Sequence, residues 1–390
     1  MPLQRDQIQQ FVVTAAQMRA IEGRVFAAGM PATALMEKVG GLISHWLQQR
    51  YSAPRTVGVL VGPGHNGGDA LVVARELHFR GYDLRVYCPF SRQKELTATH
   101  AAYVASLGIP LSTAIESLQN CDLYLDGLFG FGLERPLETA IAAAVNQVNQ
   151  WGQPVISLDL PSGLHTDSGE VLGTAMRATH TLCLGLWKRG LLQDHALEFI
   201  GEAELIDFDL PLQDIQAVLG EAPVLRRITT ASAIAALPFS RPLATHKYQM
   251  GHLLLIAGSQ QYLGAAILAG LAARATGVGL LSLAVPASLK STVLSHLPDA
   301  LVIDCPETTT GAIALDPALI TAIQGGKYSA IACGPGITAQ AVTAVEAVIP
   351  CPCPLVLDAD ALTILATLDR VSWLAARPGF TVLTPRSRRV

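Results

Sequence analysis

A loop that could bind a nucleotide lies in the first half of this 390-residue chain. Residues 62–70 read GPGHNGGDA and follow residues 56–61, which have the pattern of a buried strand. Glycines at a strand-to-helix turn let backbone amides approach a ligand closely. The loop contains G-x-G-x-x-G, but Cys88 and Pro89 stand after the next strand, where dinucleotide folds carry a ribose-binding acid. We therefore expect a nucleotide-sized ligand that is held in a different way.

Acidic and hydroxyl side chains follow two later apolar runs. Asp126 ends one run and precedes a glycine-rich stretch, while Asp159 ends the next run and Ser162 follows it. These runs alternate with helical segments, which predicts βαβ units and a parallel sheet. Ligands of open α/β sheets bind at the carboxyl ends of the strands. The sequence therefore predicts that these three residues and Asn66 lie in one site.

Two features near these residues have both a structural and a functional interpretation. Asp69 can cap a helix that starts at residue 70, or it can contact a ligand, and one side chain can do both. Lys188 and Arg189 follow an apolar run at residues 181–186. They can face a ligand phosphate or lie in solvent, and the solvated arrangement is favoured.

Length and composition predict two α/β domains, since 390 residues exceed one domain and 50% of them are hydrophobic. A net charge of -4 gives no reason to expect nucleic acid or an anionic membrane as a partner. Residues 264–285 have the length of a membrane span, but Arg274 lies in the middle, so we predict no membrane segment. Seven cysteines without framework spacing predict a reduced, cytoplasmic protein.

Roughly residues 10–210 resemble the NAD(P)H-hydrate epimerase domain of the YjeF N-terminal type. The resemblance rests on the loop at 62–70, on residues 126–132 and on residues 159–163. At the loop the family pattern is G-x-G-N-N-G-G-D-G, from which His65 and Ala70 depart.

This resemblance implies a substrate, a catalytic residue and an ion. The substrate would be NAD(P)HX, a nicotinamide cofactor hydrated at the ring carbon beside the nitrogen, whose R and S forms are interconverted. Asp126 would be the catalytic acid and base. A potassium ion would be bound by Asn66, Asp126 and Ser162, since oxygen ligands suit a hard cation. The implied substrate-binding residues are His65, Asn66, Gly67, Gly68, Asp69, Gly130, Phe131, Gly132, Leu133, Glu134, Arg135, Pro136 and Asp159.

Residues from about 247 to 385 resemble the ADP-dependent NAD(P)H-hydrate dehydratase domain, which has a ribokinase-like fold. This second resemblance implies ADP as a cofactor and a hydrate-binding site that includes Ala265 and Gly336. The predicted fold class is α/β. A Rossmann-like, three-layer, parallel-sheet domain at residues 1–220 would be followed by an incomplete ribokinase-like α/β domain at residues 225–390.

The second domain departs from its family pattern after Thr384-Pro385. The family continues with H-P-G-E and later has a G-T-G-D loop with the catalytic acid, whereas Arg386 follows here and the sequence stops at Val390. We therefore expect a truncated dehydratase domain without dehydratase activity and with poor stability, because a parallel sheet needs both faces covered. Epimerisation should survive.

Two other classes of function are alternatives. A non-catalytic nucleotide-binding scaffold would not need Asn66, Asp126 and Ser162 together. A small-molecule kinase would need the phosphate-binding loop that this sequence lacks. Family analogy also suggests a homo-oligomer.

Overall fold

A computed structural model describes residues 6–221, 223–237 and 243–385. The departure at residues 386–390 lies outside the described residues. The chain divides into two compact units, Met1–Leu237 and Pro238–Val390. Each is described by itself.

The first unit alternates strands and helices. Its strands are β1 (Val12–Val13), β2 (Thr56–Val61), β3 (Asp83–Tyr87), β4 (Leu111–Ser112), β5 (Leu123–Gly127), β6 (Val155–Leu158), β7 (His180–Leu184), β8 (Trp187–Lys188) and β9 (Glu202–Ile206). Its α-helices are α1 (Ala15–Ala27), α2 (Ala32–Arg50), α3 (His65–His78), α4 (Glu95–Ser106), α5 (Thr139–Trp151), α6 (Leu197–Ile200), α7 (Leu212–Leu219) and α8 (Thr230–Ala236).

Seven parallel strands form the central sheet, in the order β4-β3-β2-β5-β6-β7-β9. Both faces of the sheet are covered. Val57, Val59 and Val61 pack into a core shared with α1, α2 and α3, whereas Leu60 packs on the other face with Ile141 of α5. Alternate residues of a strand point to opposite faces, so an unbroken apolar run indicates burial on both. The strand order reverses between β2 and β5, and such a reversal opens a crevice at the carboxyl ends of the strands.

The second unit contains a parallel sheet of six strands, in the order β12-β11-β10-β13-β14-β15. The strands are β10 (His252–Ile256), β11 (Leu280–Pro286), β12 (Leu301–Cys305), β13 (Ala330–Cys333), β14 (Leu355–Leu357) and β15 (Thr381–Leu383). The helices are α9 (Leu263–Ala275), α10 (Lys290–His296), α11 (Pro317–Gln324), α12 (Val342–Val348) and α13 (Asp360–Thr367). The predicted architecture of parallel α/β sheets is therefore confirmed.

Helix α3 begins earlier than the sequence pattern predicts, and this changes the interpretation of Asp69. The helix starts at His65, and its N-cap is the extended residue Gly64, which has no side chain to cap it. Asp69 therefore lies in the second turn of the helix, so the prediction that it caps the helix is wrong. Glycine has a low helix propensity, so a first helical turn that contains glycines has the sequence pattern of a loop. This explains the error.

In the part of the chain that the structure describes, every helix is too short or too polar to cross a membrane. The stretch at residues 264–285 divides into α9, a turn and β11.

Candidate active site

A cavity of about 980 Å³ lies at the carboxyl ends of β2, β5 and β6 in the first unit. This volume is in the range of sites that hold nucleotide-sized ligands. The predicted site residues that line it are His65, Asn66, Asp69, Gly130, Phe131, Gly132, Leu133, Glu134, Arg135 and Asp159. Arg19, Glu22, Lys94 and Lys188 also line it; a ligand contact was considered in the sequence analysis for Lys188 and for none of the other three.

The loop after β2 and the loop after β5 cross in direct contact, which places both at the cavity. The amide of Gly62 donates to the carbonyl of Gly127 at 3.1 Å. A Cβ on Gly62 would lie 1.6 Å from the carbonyl oxygen of Leu128, and a Cβ on Gly67 would lie 2.1 Å from the carbonyl oxygen of Gly62. Two of the loop glycines are therefore required for backbone packing. Gly67 and Gly68 are buried there and do not line the cavity.

Four side chains fix the backbone of residues 128–132, which form one side of the cavity. The amide of Leu128 donates to Asp126, that of Phe129 to Ser162, that of Phe131 to Asp159 and that of Gly132 to Thr166, at 3.3, 2.9, 2.8 and 3.1 Å. These hydroxyls and carboxylates come from the ends of β5 and β6 and the loop after β6. They hold the backbone in place, and these four amides have intramolecular acceptors.

Asp126 and Ser162 lie under this loop, as neighbours. Ser162 donates its hydroxyl to Asp126 Oδ1 at 2.6 Å and its amide to Oδ2 at 2.9 Å, and the hydroxyl of Ser157 also donates to Oδ2 at 2.8 Å. Asp126 is fully buried and does not line the cavity as it stands. Burial raises the pKa of Asp126, and the hydrogen bonds from Ser162, Ser157 and Leu128 oppose that rise.

Asp159 forms a buried ion pair with Lys188. Nζ of Lys188 lies 2.5 Å from Asp159 Oδ1 and 2.5 Å from the carbonyl oxygen of Leu184, and it has no exposed surface. Burial lowers the pKa of Lys188, but the charge and hydrogen bond of Asp159, together with Cys183 and Glu22, outweigh this and leave the pKa raised. The favoured prediction of a solvated Lys188 is therefore wrong: a buried carboxylate needs a counter-charge, and Lys188 supplies it.

Asn66 lies beside Asp159, because a Cβ on Gly130 would be 3.3 Å from Asn66 Oδ1 and 3.1 Å from Asp159 Oδ2. Its amide nitrogen Nδ2 is buried and has no hydrogen-bond partner among the described residues. A buried donor without a partner costs about 1–3 kcal/mol, so this group is suited to an acceptor on a ligand. The structure thus brings Asn66, Asp126, Asp159 and Ser162 to one edge of the sheet.

Two residues of the second unit that were predicted to bind the hydrate also meet. A Cβ on Gly336 would lie 2.9 Å from the Cβ of Ala265, and Gly336 has a φ of +69°. They lie where the strand order reverses between β10 and β13, and Gly258 bonds to the carbonyl of Pro335 there at 2.8 Å. In the first unit, Pro136, like Gly67 and Gly68, was predicted to bind substrate and does not line the cavity.

Comparisons with known proteins match the chain in both units. Residues 32–190 match the family described as YjeF-related protein N-terminus, and residues 253–389 match NAD(P)H-hydrate dehydratase. The bifunctional NAD(P)H-hydrate repair enzyme of Thermosynechococcus vestitus is 55% identical over 377 residues, which are 96% of this chain and 73% of the relative. That of a Synechocystis strain is 48% identical over 96% of this chain and 71% of the relative. The chain belongs to the bifunctional NAD(P)H-hydrate repair enzyme family.

A third relative matches half of this chain. The NAD(P)H-hydrate epimerase of Limosilactobacillus fermentum is 33% identical over 207 residues, which are 50% of this chain and 95% of the relative. The predicted truncation gains no support from the repair enzyme family, because the alignments with two of its members span 96% of this chain.

Glu22 is a cavity residue that the motifs of the repair enzyme family did not reveal. A signal for it exists in the sequence: Met18, Glu22 and Val25 fall on one stripe of α1, and Met18 and Val25 are buried. An acid on the apolar stripe of a helix is unusual and points to a polar cavity on that side.

Proposed function

We propose that the first unit interconverts the R and S forms of NAD(P)HX. The observation that supports this most directly is the Asp126–Ser162 pair, which lies beneath the loop of a nucleotide-sized cavity. Membership of the repair enzyme family and the similarity to a single-unit epimerase agree with it. The repair activity of the whole relatives is proposed for this chain on the same basis.

The chemistry required is loss and regain of water. The hydroxyl of the hydrate is part of a hemiaminal, so the ring nitrogen can expel it as water once it has been protonated. The planar iminium that results can take up water on its other face, which inverts the stereocentre. Asp126 is assigned to this acid/base work, and its hydroxyl neighbour Ser162 connects it to the loop at the cavity.

Potassium fits the donor set beside this cavity. The Asn66 amide, the Asp126 carboxylate and the Ser162 hydroxyl each offer an oxygen atom, and within the described residues the buried carboxylate of Asp126 has hydrogen bonds but no cationic partner. Bound there, potassium would offset the negative charge of that carboxylate and of a phosphate-bearing substrate. Asn66, Asp126 and Ser162 would hold it.

Chiral chromatography of the R hydrate of NADH, incubated with the protein and potassium in H₂¹⁸O, tests this function. We expect the S hydrate to form faster than in a blank, with one ¹⁸O atom gained per inversion because the hydroxyl is exchanged with water. Asp126→Ala should lower the rate by at least about 100-fold, the usual contribution of a general acid or base. If neither hydrate changes faster than in the blank, the non-catalytic scaffold is favoured.

The same incubation with ADP tests the second unit. That unit matches the dehydratase family, so recovery of NADH from the S hydrate would show that these 390 residues carry the second repair activity. Absence of NADH would show that these 390 residues do not carry the second repair activity. Assembly into a homo-oligomer stays a prediction.

A further inference from the structure

Glu22 is a carboxylic acid in the wall of the cavity, contributed by α1. It lies on the packed stripe of the helix between buried Met18 and Val25, so it points toward the protein rather than into bulk solvent. Its side chain is half-buried, and within the described part of the chain its neighbours act on it through their charges, without a hydrogen bond. Glu22 is therefore free to bond to a ligand.

Asp126 differs from Glu22 in its burial and in its hydrogen bonds. It has no exposed surface, and it accepts hydrogen bonds from Leu128, Ser157 and Ser162. It lies at the end of β5, beneath the loop that borders the cavity, whereas Glu22 comes from helix α1 and lines the cavity itself. The two carboxyl groups therefore come from different elements of the site.

Inversion through an iminium ion needs two proton-transfer groups. The hydroxyl leaves from one face of the ring, and the incoming water must attack the other face. A single carboxyl group cannot lie on both faces of a ring that is held in place. We propose that Glu22 is the second acid/base residue of this reaction and serves the ring face that Asp126 does not; this proposal rests on the proposed epimerase function.

The step balances in protons and electrons. One carboxylic acid protonates the hydroxyl, the C–O bond breaks with its electron pair going to the departing water, and the nitrogen lone pair forms the iminium bond. Water then adds to the other face, and its extra proton passes to the other carboxylate. Substrate and product differ only in configuration, the two carboxyl groups exchange protonation states, and solvent in the cavity restores them.

The electrostatic surroundings of Glu22 support this role. The charged groups that face it from the neighbouring elements are Lys188, Asp159, Asp69 and Lys94, and Arg19 precedes it by one turn on α1. Burial raises the pKa of Glu22 to about 7; Lys188 opposes the rise and Asp159 adds to it. A carboxyl group that titrates near neutral pH populates both the acid and the base form, as proton transfer requires.

The test compares Glu22→Gln, Glu22→Asp and a control, Glu138→Gln, in the full chain. Glu138 is exposed just before α5, outside the cavity lining, so the control makes the same chemical change at a neutral position. The measured quantities are kcat and KM for the R hydrate of NADH as a function of pH. Glu22→Gln should lower kcat by at least about 100-fold with KM little changed. The wild-type inflection near pH 7 should disappear in this variant and return, with part of the rate, in Glu22→Asp.

The outcomes separate the two proposals. If wild-type protein epimerises and Glu22→Gln keeps both the rate and the inflection, Glu22 has no role and the epimerase function stands. If wild-type protein does not epimerise, the function itself is wrong. A merely structural role for Glu22 would lower the rate at every pH while leaving the inflection in place, and this result would also refute the proposal.

Discussion

At the scale of single residues, the buried ion pair of Lys188 and Asp159 determines the geometry of the site. Asp159 has a φ of +69°, a left-handed conformation that is uncommon for residues other than glycine. Its carboxylate accepts amides from Phe131 and Leu184 and contacts Lys188. These bonds compensate for the backbone strain, and they tie β6, β7 and β8 to the loop after β5.

Lys188→Met is expected to lower the free energy of unfolding by about 3–5 kcal/mol, because it leaves the Asp159 carboxylate buried without a counter-charge. The raised pKa of Lys188 means that the pair contributes fully at pH 7 and is lost only as pH rises through that pKa. Denaturant unfolding can be followed by tryptophan fluorescence, to which Trp187, the preceding residue, contributes. The matched control is Lys38→Met, which removes an exposed ion pair with Asp209 at 2.6 Å and should cost about 0–1 kcal/mol. Equal costs for both variants would contradict this account.

Sequence reasoning found Asp159 and missed the part played by Lys188 for a physical reason. The position of an acid at the end of an apolar strand can be predicted, because the strand and the edge of the sheet at which it ends are both predictable. The position of Lys188 depends on a pairing of β8 with β1, which joins Val12 to Trp187 across most of the unit. Such a distant pairing leaves no local pattern.

At the scale of elements, the crossing of the two glycine-containing loops is the main constraint. Gly62 and Gly64 are both glycines of the loop after β2, yet their surroundings differ. A Cβ on Gly62 would overlap the backbone of Leu128, whereas a Cβ on Gly64 would meet no atom within 4 Å. Backbone atoms cannot move aside as a flexible side chain can. Of these two positions, Gly62 alone therefore excludes a side chain.

Gly62→Ala is therefore expected to destabilise the first unit by at least about 1–3 kcal/mol, the usual cost of overpacking, while Gly64→Ala changes stability little. Thermal unfolding of both variants checks this. Gly64 has a φ of -99°, which alanine adopts without strain, so it is a fair control. Equal melting temperatures for the two variants would show that the loop after β2 and the loop after β5 separate readily. The site would then lack the rigidity that their contact provides.

The elements themselves were largely predictable, and their ends were not. The apolar run at residues 56–61 carries a strong signal for a buried strand, and β2 occupies these residues. The start of α3 was misplaced because His65 to Gly68 have low helix propensity and become helical through packing on Gly62 and Met36. Tertiary contact overrides local preference at this site.

At the scale of the whole molecule, the boundary between the units has a structural basis. The segment after residue 223 returns to the first unit: Arg226 forms an antiparallel bridge with Phe11, and the amide of Arg227 donates to the carbonyl of Gln10 at 2.8 Å. The guanidinium of Arg227 lies 4.5 Å from the ring centre of Trp187. The amino-acid composition indicates a connecting segment near residue 223, but it cannot show which unit this segment packs against.

A fragment of residues 1–237 is therefore expected to fold and to epimerise NAD(P)HX at a rate close to that of the full chain, with no effect of ADP. Every residue that lines the cavity lies between Arg19 and Phe208, within this fragment. A fragment of residues 1–220 keeps the same cavity but loses the contacts of Arg226 and Arg227. The Phe11–Arg226 bridge, with its hydrogen bond from Arg227, and a cation–π contact contribute roughly 1–3 kcal/mol together, so the shorter fragment should unfold at lower denaturant concentration.

Denaturant unfolding and the chiral assay on the two fragments measure stability and activity separately. Lower stability of residues 1–220 with the same initial rate would show that the segment after residue 223 supports the fold and takes no part in the chemistry. Equal stability would contradict the structural role assigned to Arg226 and Arg227. A folded but inactive fragment of residues 1–237 would contradict the assignment of the activity to the first unit.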